Sequence, residues 1–417
     1  MAREMKDSGL PYIGVIPTQW NLFRLKAFFT PYAITNKPDA RVLSLYRDYG
    51  VIPKDSRDDN HNVTSLDTSK YKYVNRGDFV INKMKAWQGS MALSGYDGIV
   101  SPAYHVFKFR SEGLWPRYAH YLLRCSSLSD LWRGLSTGLR VGQWDLHVDD
   151  FLNTYIPLPS LNEQRHIADC LDAKCADIDE AIQSAENSIS DYKSYLQARL
   201  YQMVTKGLDP TVASEKTSLE WIESAPTHWE IAPHKRMMRK IKRLCDHWAG
   251  EPVLSLTTNG VIVRDIASGK GKFPATFDGY QYISAGNLVL CLFDVDVTPR
   301  CVGLAKQGGV ISPAYSQFEM LDGAYAPYYD YYLRAMDDRK LYVHLTSTLR
   351  HSFTEDTFGM IPALRPPFEE QVRIAAYLDD FCSNVDRLIN AKQSIIDDLK
   401  AYKQSLIYET VTGKKEV

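Results

Sequence analysis

A chain of 417 residues, 45% hydrophobic and 24% charged, has ordinary globular composition, and its length predicts two or three domains. No run of about 18 apolar residues occurs, which excludes a membrane-spanning helix; the polar start Met1–Leu10 lacks the apolar core of a signal peptide, so a cytosolic protein is expected. The formal net charge of −1 excludes a uniformly basic nucleic-acid binder.

In chain order the pattern changes three times. Residues 1–160 are rich in Tyr, Val, Ile, Gly and Pro and hold 20 Lys+Arg against 15 Asp+Glu. A strand is predicted over Asp78–Ile81, with Gly77 and Gly89 as turns, and a helix over Pro116–Leu123. Glycine and proline then vanish from Asn162 to Lys206. Leu171, Cys175, Ile178, Ile182, Ala185, Ile189, Tyr192 and Leu196 step alternately by four and three, which is a heptad seam. Gly207 is the candidate stop of that helix, which spans 161–207. Residues 208–367 resemble the first block, with a strand over Asn287–Leu292 and a helix over Pro327–Met336. This block also carries the basic run His234–Arg243. A second seam follows in 368–417, at Leu378, Cys382, Val385, Ile389, Lys392, Ile396 and Leu399, with Gly413 as its stop. At 1.5 Å per residue each helix is roughly 60–65 Å long. A seam this narrow needs a partner helix, and pairing of the two helices is favoured over packing on the parent domain.

The halves are copies. Pro17-Thr18-Gln19-Trp20 returns as Pro226-Thr227-His228-Trp229, and Val42–Leu45 as Val253–Leu256. Val100–Tyr104 returns as Ile311–Tyr315, and Tyr121–Arg124 as Tyr331–Arg334. Ser136–Arg140 is echoed by Ser347–Arg350, Glu163-Gln164 by Glu370-Gln371, and Leu171-Asp172 by Leu378-Asp379. The offset stays near 208 residues, which marks a duplicated half-molecule with a pseudo-two-fold axis. The fold class expected is α+β: two pseudo-symmetric globular domains joined by two long antiparallel coiled-coil helices.

Chemistry is looked for and not found. Seven cysteines without C-x-x-C spacing exclude a disulfide framework and give no metal site. No G-x-x-x-x-G-K-[ST] phosphate loop and no H-E-x-x-H is present, and Gly269–Lys272 reads as a turn. Asp149-Asp150 and Asp337-Asp338 read as solvated or capping acids. The repeated residues are Pro, Trp, Leu, Tyr and Gly rather than a twice-built catalytic cluster, so no catalytic residue is assigned and no enzyme is expected.

The segment Ile156–Ile167, with Pro157, Pro159, Glu163 and Gln164 before a long helix and a second copy at Ile361–Ile374, resembles the hallmark of Type I restriction–modification specificity subunits. The Pro-x-x-Trp openings and the Gly77 and Gly286 strands fit the same family. The second copy, Ile361–Pro367, reads as two residues longer and lacks Pro-x-Pro. The resemblance implies that 1–160 and 208–367 are target-recognition domains, each reading one half of a bipartite, asymmetric site in double-stranded DNA. It implies that the helices set the spacer and dock two methyltransferase subunits, through which motor and nuclease subunits attach. S-adenosylmethionine, ATP and Mg would belong to those partners, with no cofactor in this chain. A missing Asn-Pro-Pro-Tyr-like motif agrees; Arg365-Pro366-Pro367-Phe368 is the nearest approach. Other subunits would then supply part of the phosphate grip that a charge of −1 lacks.

Phosphates call for Lys and Arg, and base edges for Arg, Lys, Asn and Gln. The candidates are Lys83, Lys85, Trp87 and Gln88 after a strand, Arg140 and Gln143 in a turn-rich stretch, and Arg350 in its echo. The basic run adds Lys235, Arg236, Arg239, Lys240, Lys242 and Arg243, unless it is an amphipathic surface helix. Glu163, Gln164, Glu370 and Gln371 open the helices, where a carboxylate suits the helix dipole; the resemblance makes them docking candidates. A free-standing architectural DNA binder and the specificity subunit of a methylation-only system are the alternatives.

Overall fold

The structure, a computed structural model, describes residues 3–47, 49–57, 64–138, 144–266, 274–346 and 350–417. It divides into two contact units, Met1–Ala185 with Gln393–Val417, and Glu186–Lys392.

In the first unit, Gly77 takes φ 92° in the turn before the strand Phe79–Asn82. The Asp78 carboxylate closes that turn by accepting from Asn75 N at 2.6 Å and from the Tyr32 hydroxyl. Phe79, Val80 and Ile81 are fully buried, as a central strand with both faces covered requires. The antiparallel sheet runs 29–32, 104–109, 79–82, 91–93. Side chains alternate between its faces. Phe79 and its partner Phe107 meet Phe29 and Phe151 on one face, with centroids 5.0–6.5 Å apart. Val80 and its partner Val106 pack with Leu43, Leu45, Val51 and Val100 on the other. Three helices complete the domain: α1 (Pro116–Arg124), with proline in its first turn, α2 (Ser126–Leu135) and α3 (Val148–Asn153).

The second unit repeats the sheet as 238–241, 316–320, 288–290, 302–304. Its helices α5 (Ala326–Asp338) and α6 (Glu355–Met360) follow the long helix α4 (Leu161–Lys206). Beside this sheet, Val253–Thr257 pairs in parallel with Gly309–Ile311 within a second four-stranded sheet. In the first unit the described residues have a parallel bridge at the equivalent position, Val42 to Ile99.

The long helices are α4 (Leu161–Lys206) and α7 (Phe368–Val411). Gly207 and Gly413 follow them at φ 75° and 73°, left-handed as helix stops require. Leu171, Cys175, Ile178, Ile182, Ala185 and Leu196 of the first seam are buried, as are Leu378, Val385 and Ile396 of the second. Each helix begins in one unit and ends in the other. In the first unit Lys403 pairs with Asp179 at 2.6 Å. There Tyr118 donates to Val411 O at 3.0 Å and Pro157 O at 3.3 Å, so the end of α7 lies beside the start of α4. In the second unit Arg199 donates to the Tyr377 hydroxyl and Tyr195 meets Phe381. Four residues forward on one helix match four backward on the other, so this pair is antiparallel too.

One sequence alignment is corrected. Tyr155–Leu158 pairs with Asn21–Arg24 as Pro362–Arg365 pairs with Glu230–Pro233. Ile156 therefore corresponds to Ala363, not to Ile361, and the second copy contains no extra residues before its helix.

Candidate nucleic-acid interface

The repeated residues build scaffold nodes. Trp20 is buried, and its indole N–H donates to Glu163 at 3.2 Å, beside Arg3 at 2.5 Å. A Cβ added to Gly413 would lie 2.5 Å from Pro17 and 3.0 Å from Trp20. The second unit repeats this: Trp229 donates to Glu370 at 3.0 Å, and a Cβ on Gly207 would lie 3.2 Å from Trp229. So Pro-x-x-Trp, the helix-opening Glu and the helix-closing Gly meet in one place per unit.

Gln164 is fully buried. It accepts from Trp115 N at 2.7 Å and donates to Gly113 O and Pro159 O at 3.0 Å each. Gln371 is buried with the equivalent set, Tyr325 N at 2.8 Å, Gly323 O at 3.0 Å and Pro366 O at 2.8 Å. Both fasten the loop before α1 or α5 onto a long helix. Subunit docking through these two side chains does not fit: every amide atom is committed internally, and none reaches the surface. Glu163 and Glu370 keep part of their surface but are held by the tryptophans. Tyr121 donates to Asp172, and Tyr331 to Asp379, both at 2.6 Å. Burial, then the carboxylate, pushes each hydroxyl's pKa up, so each remains the donor.

The cationic candidates sit elsewhere. Lys83 is half-buried and paired with Asp145 at 2.7 Å, so it helps hold the turn. Lys85 and Gln88 are exposed on the one-turn helix that carries Trp87, between the strands 79–82 and 91–93. Trp87 is half-buried, its N–H donated to Met84 O at 3.1 Å. Its ring meets Trp144 edge-to-face at 5.4 Å, with the exposed Arg133 of α2 at 5.8 Å. Sequence reasoning missed Arg133 and Trp144, which lie 46 and 57 residues from Trp87. Arg140 and Gln143 lie outside the described residues, as does the Gly269–Lys272 turn; Arg350 is exposed.

The basic run is not a helix. It forms the one-turn helix His234–Arg236 and the edge strand Met238–Ile241. Met237 and Met238 turn inward, and the cations are exposed. Three are paired: Arg236 with Glu230 at 2.8 Å, Arg239 with Glu319, and Lys240 with Glu355 at 2.8 Å. Among the described residues Lys235, Lys242 and Arg243 form no ion pair. The equivalent strand of the first unit, Phe29–Tyr32, carries no cation.

Comparison with known proteins places this architecture. Residues 17–187 match the Type I restriction modification DNA specificity domain. A chain from a structural study of complex assembly and conformational transition of the type I R-M system superposes with a TM-score of 0.69 at 17% identity, covering 96% of this chain and 99% of that one. The HsdS subunit from Thermoanaerobacter tengcongensis superposes with a TM-score of 0.52 at 17% identity, covering 96% and 98%. The chain thus carries a Type I DNA specificity domain on a fold shared over nearly its whole length with an HsdS subunit.

Proposed function

We propose that each α+β domain reads one half of a bipartite, asymmetric site in double-stranded DNA, and that the chain itself supplies no catalysis. The single observation that carries this is duplication with divergence. Trp20, Glu163, Gln164 and Tyr121 recur in the second half with the same hydrogen-bond partners, whereas the exposed Lys85, Lys242 and Arg243 have no basic residue at the equivalent position of the other half. A common frame with different reading surfaces is what two unlike half-sites require.

In this reading residues 1–160 and 208–367 are the recognition domains. The helices 161–207 and 368–417 set the spacer and dock two methyltransferase subunits, and through them motor and nuclease subunits. The methyl donor, ATP and Mg bind those partners. Phosphate contacts come from Lys85, Lys235, Lys242, Arg243 and Arg350; Arg140 and Gln143, which lie outside the described residues, remain candidates from the sequence. Methyl transfer from S-adenosylmethionine to duplex DNA tests the proposal. The purified chain together with its methyltransferase partner is expected to methylate adenine at one split motif, and either protein alone to be inert. Equal methylation by the methyltransferase alone would refute it.

A further inference from the structure

The two domains carry opposite charge at one equivalent turn, and we infer that the first domain alone presses this turn onto the duplex. This rests on the DNA-reading role proposed above. In the first domain the turn joins the strands 79–82 and 91–93 and bears Lys83, Lys85, Trp87 and Gln88, with no acid between Lys83 and Ser90. In the second it joins 288–290 to 302–304 and bears Asp294, Asp296, the exposed Phe293 and the exposed Val297. Its arginine, Arg300, is turned inward and donates to Val302 O at 2.8 Å and Thr258 O at 3.2 Å. A polyanion is attracted to the first turn and repelled from the second.

The first turn is also built rigidly. Gly89 takes φ 76°, and a Cβ there would lie 2.9 Å from the Ser129 hydroxyl, so the turn is seated against α2. Asp145 holds Lys83 from the adjoining segment. Trp87 is wedged between Trp144 and Arg133, which leaves Lys85 and Gln88 outward on a fixed platform. A rigid base-reading side chain loses less entropy on binding than one on a loose loop.

The second domain has its unpaired cations, Lys235, Lys242 and Arg243, at the strand Met238–Ile241, the opposite edge of the equivalent sheet. Three strand spacings separate the edges, roughly 14 Å. That exceeds the major groove's width of about 12 Å, so one groove does not hold both edges. The first domain's own edge at 29–32 has Lys26 and Lys108 nearby, and the Lys108 ammonium lies over the Tyr32 ring at 4.7 Å. The turn, reversed in sign between the copies, is therefore what separates their modes of contact.

The test uses the full chain bound to its methyltransferase, with fluorescence anisotropy on a duplex carrying the methylated motif, between 50 and 200 mM salt. Lys85→Ala is expected to reduce the slope of log K against log salt by about 0.9, one phosphate's worth. Trp87→Ala is expected to erase discrimination against scrambling of one half-site and leave the other half intact. Asp296→Ala is expected to change neither slope nor affinity, because screening over about 8 Å isolates a distant charge. Tighter binding by Asp296→Ala would overturn the inference, since both turns would then face DNA. An unchanged slope for Lys85→Ala would overturn it too, including the case where that variant instead loses the methyltransferase. A wild-type complex with no preference for the motif would sink the DNA-reading role itself, a different failure.

Discussion

At the scale of residues, two kinds of buried polar group behave differently because one is fully partnered and the other, His234, only at Nε2, 3.2 Å from the Tyr342 hydroxyl. Gln164 and Gln371 satisfy three backbone groups each. Replacing either by Leu strands buried donors and acceptors, at about 1–3 kcal/mol apiece. Gln371→Leu should lower the thermal transition of the second unit by several degrees and leave the first unit's in place, measured by calorimetry; an unchanged transition would show that the amide fastens nothing. His234 is fully buried, stacked 4.6 Å from Phe358, and its Nδ1 has no partner. Burial lowers its pKa to about 3. The folded value lies below the ordinary one of about 6.5, so the unfolded chain takes up the proton first. Stability from this neutral imidazole is complete above about pH 6.5 and is lost as pH falls toward 3, by roughly 1 kcal/mol per unit. The first unit has the buried Leu25 at the equivalent position. His234→Leu should therefore flatten the acid limb of the second unit's melting temperature between pH 6.5 and 4.5; an unaltered limb would contradict the burial argument. The repeated Trp, Glu, Gln and Tyr were legible as landmarks in the sequence. Their partners were not, because the Tyr118–Val411 bond spans 293 positions and no local pattern encodes such a distance.

At the scale of elements, the heptad seams and glycine stops located both long helices to within a residue or two of their ends. Periodicity over many turns and left-handed glycine are strong local signals. The basic run was harder to read. Met237 and Met238 are adjacent, so neither period is clean, and a one-turn helix leading into an edge strand hides both. The seams also did not show that each helix serves two units. The consequence is specific: removal of 393–417 should expose the buried Trp20 and Tyr118 of the first unit and spare the second. Hydrogen exchange on peptides covering 15–30 and 110–125 should rise by orders of magnitude while peptides covering 325–340 stay protected. Equal loss in both units would mean that the C-terminal segment acts globally instead.

At the scale of the whole molecule, a formal charge of −1 sits on a chain that matches a Type I DNA specificity domain over residues 17–187 and shares its fold with an HsdS subunit. The cations are local and unlike in the two halves, which suits shared phosphate contact with partner subunits. What the duplicated frame cannot contain is the identity of the bases, since the shared Trp20, Gln164, Trp229 and Gln371 face inward, whereas Lys85, Lys242 and Arg243, which the other half lacks, face out. The central claim, that each half reads its own half-site, is tested most directly by sequencing the methylome of a host carrying this gene with its methyltransferase gene. A new N6-methyladenine motif, split by an unspecified spacer and absent with either gene alone, is the predicted result. A continuous motif, or one that appears without this chain, would contradict it.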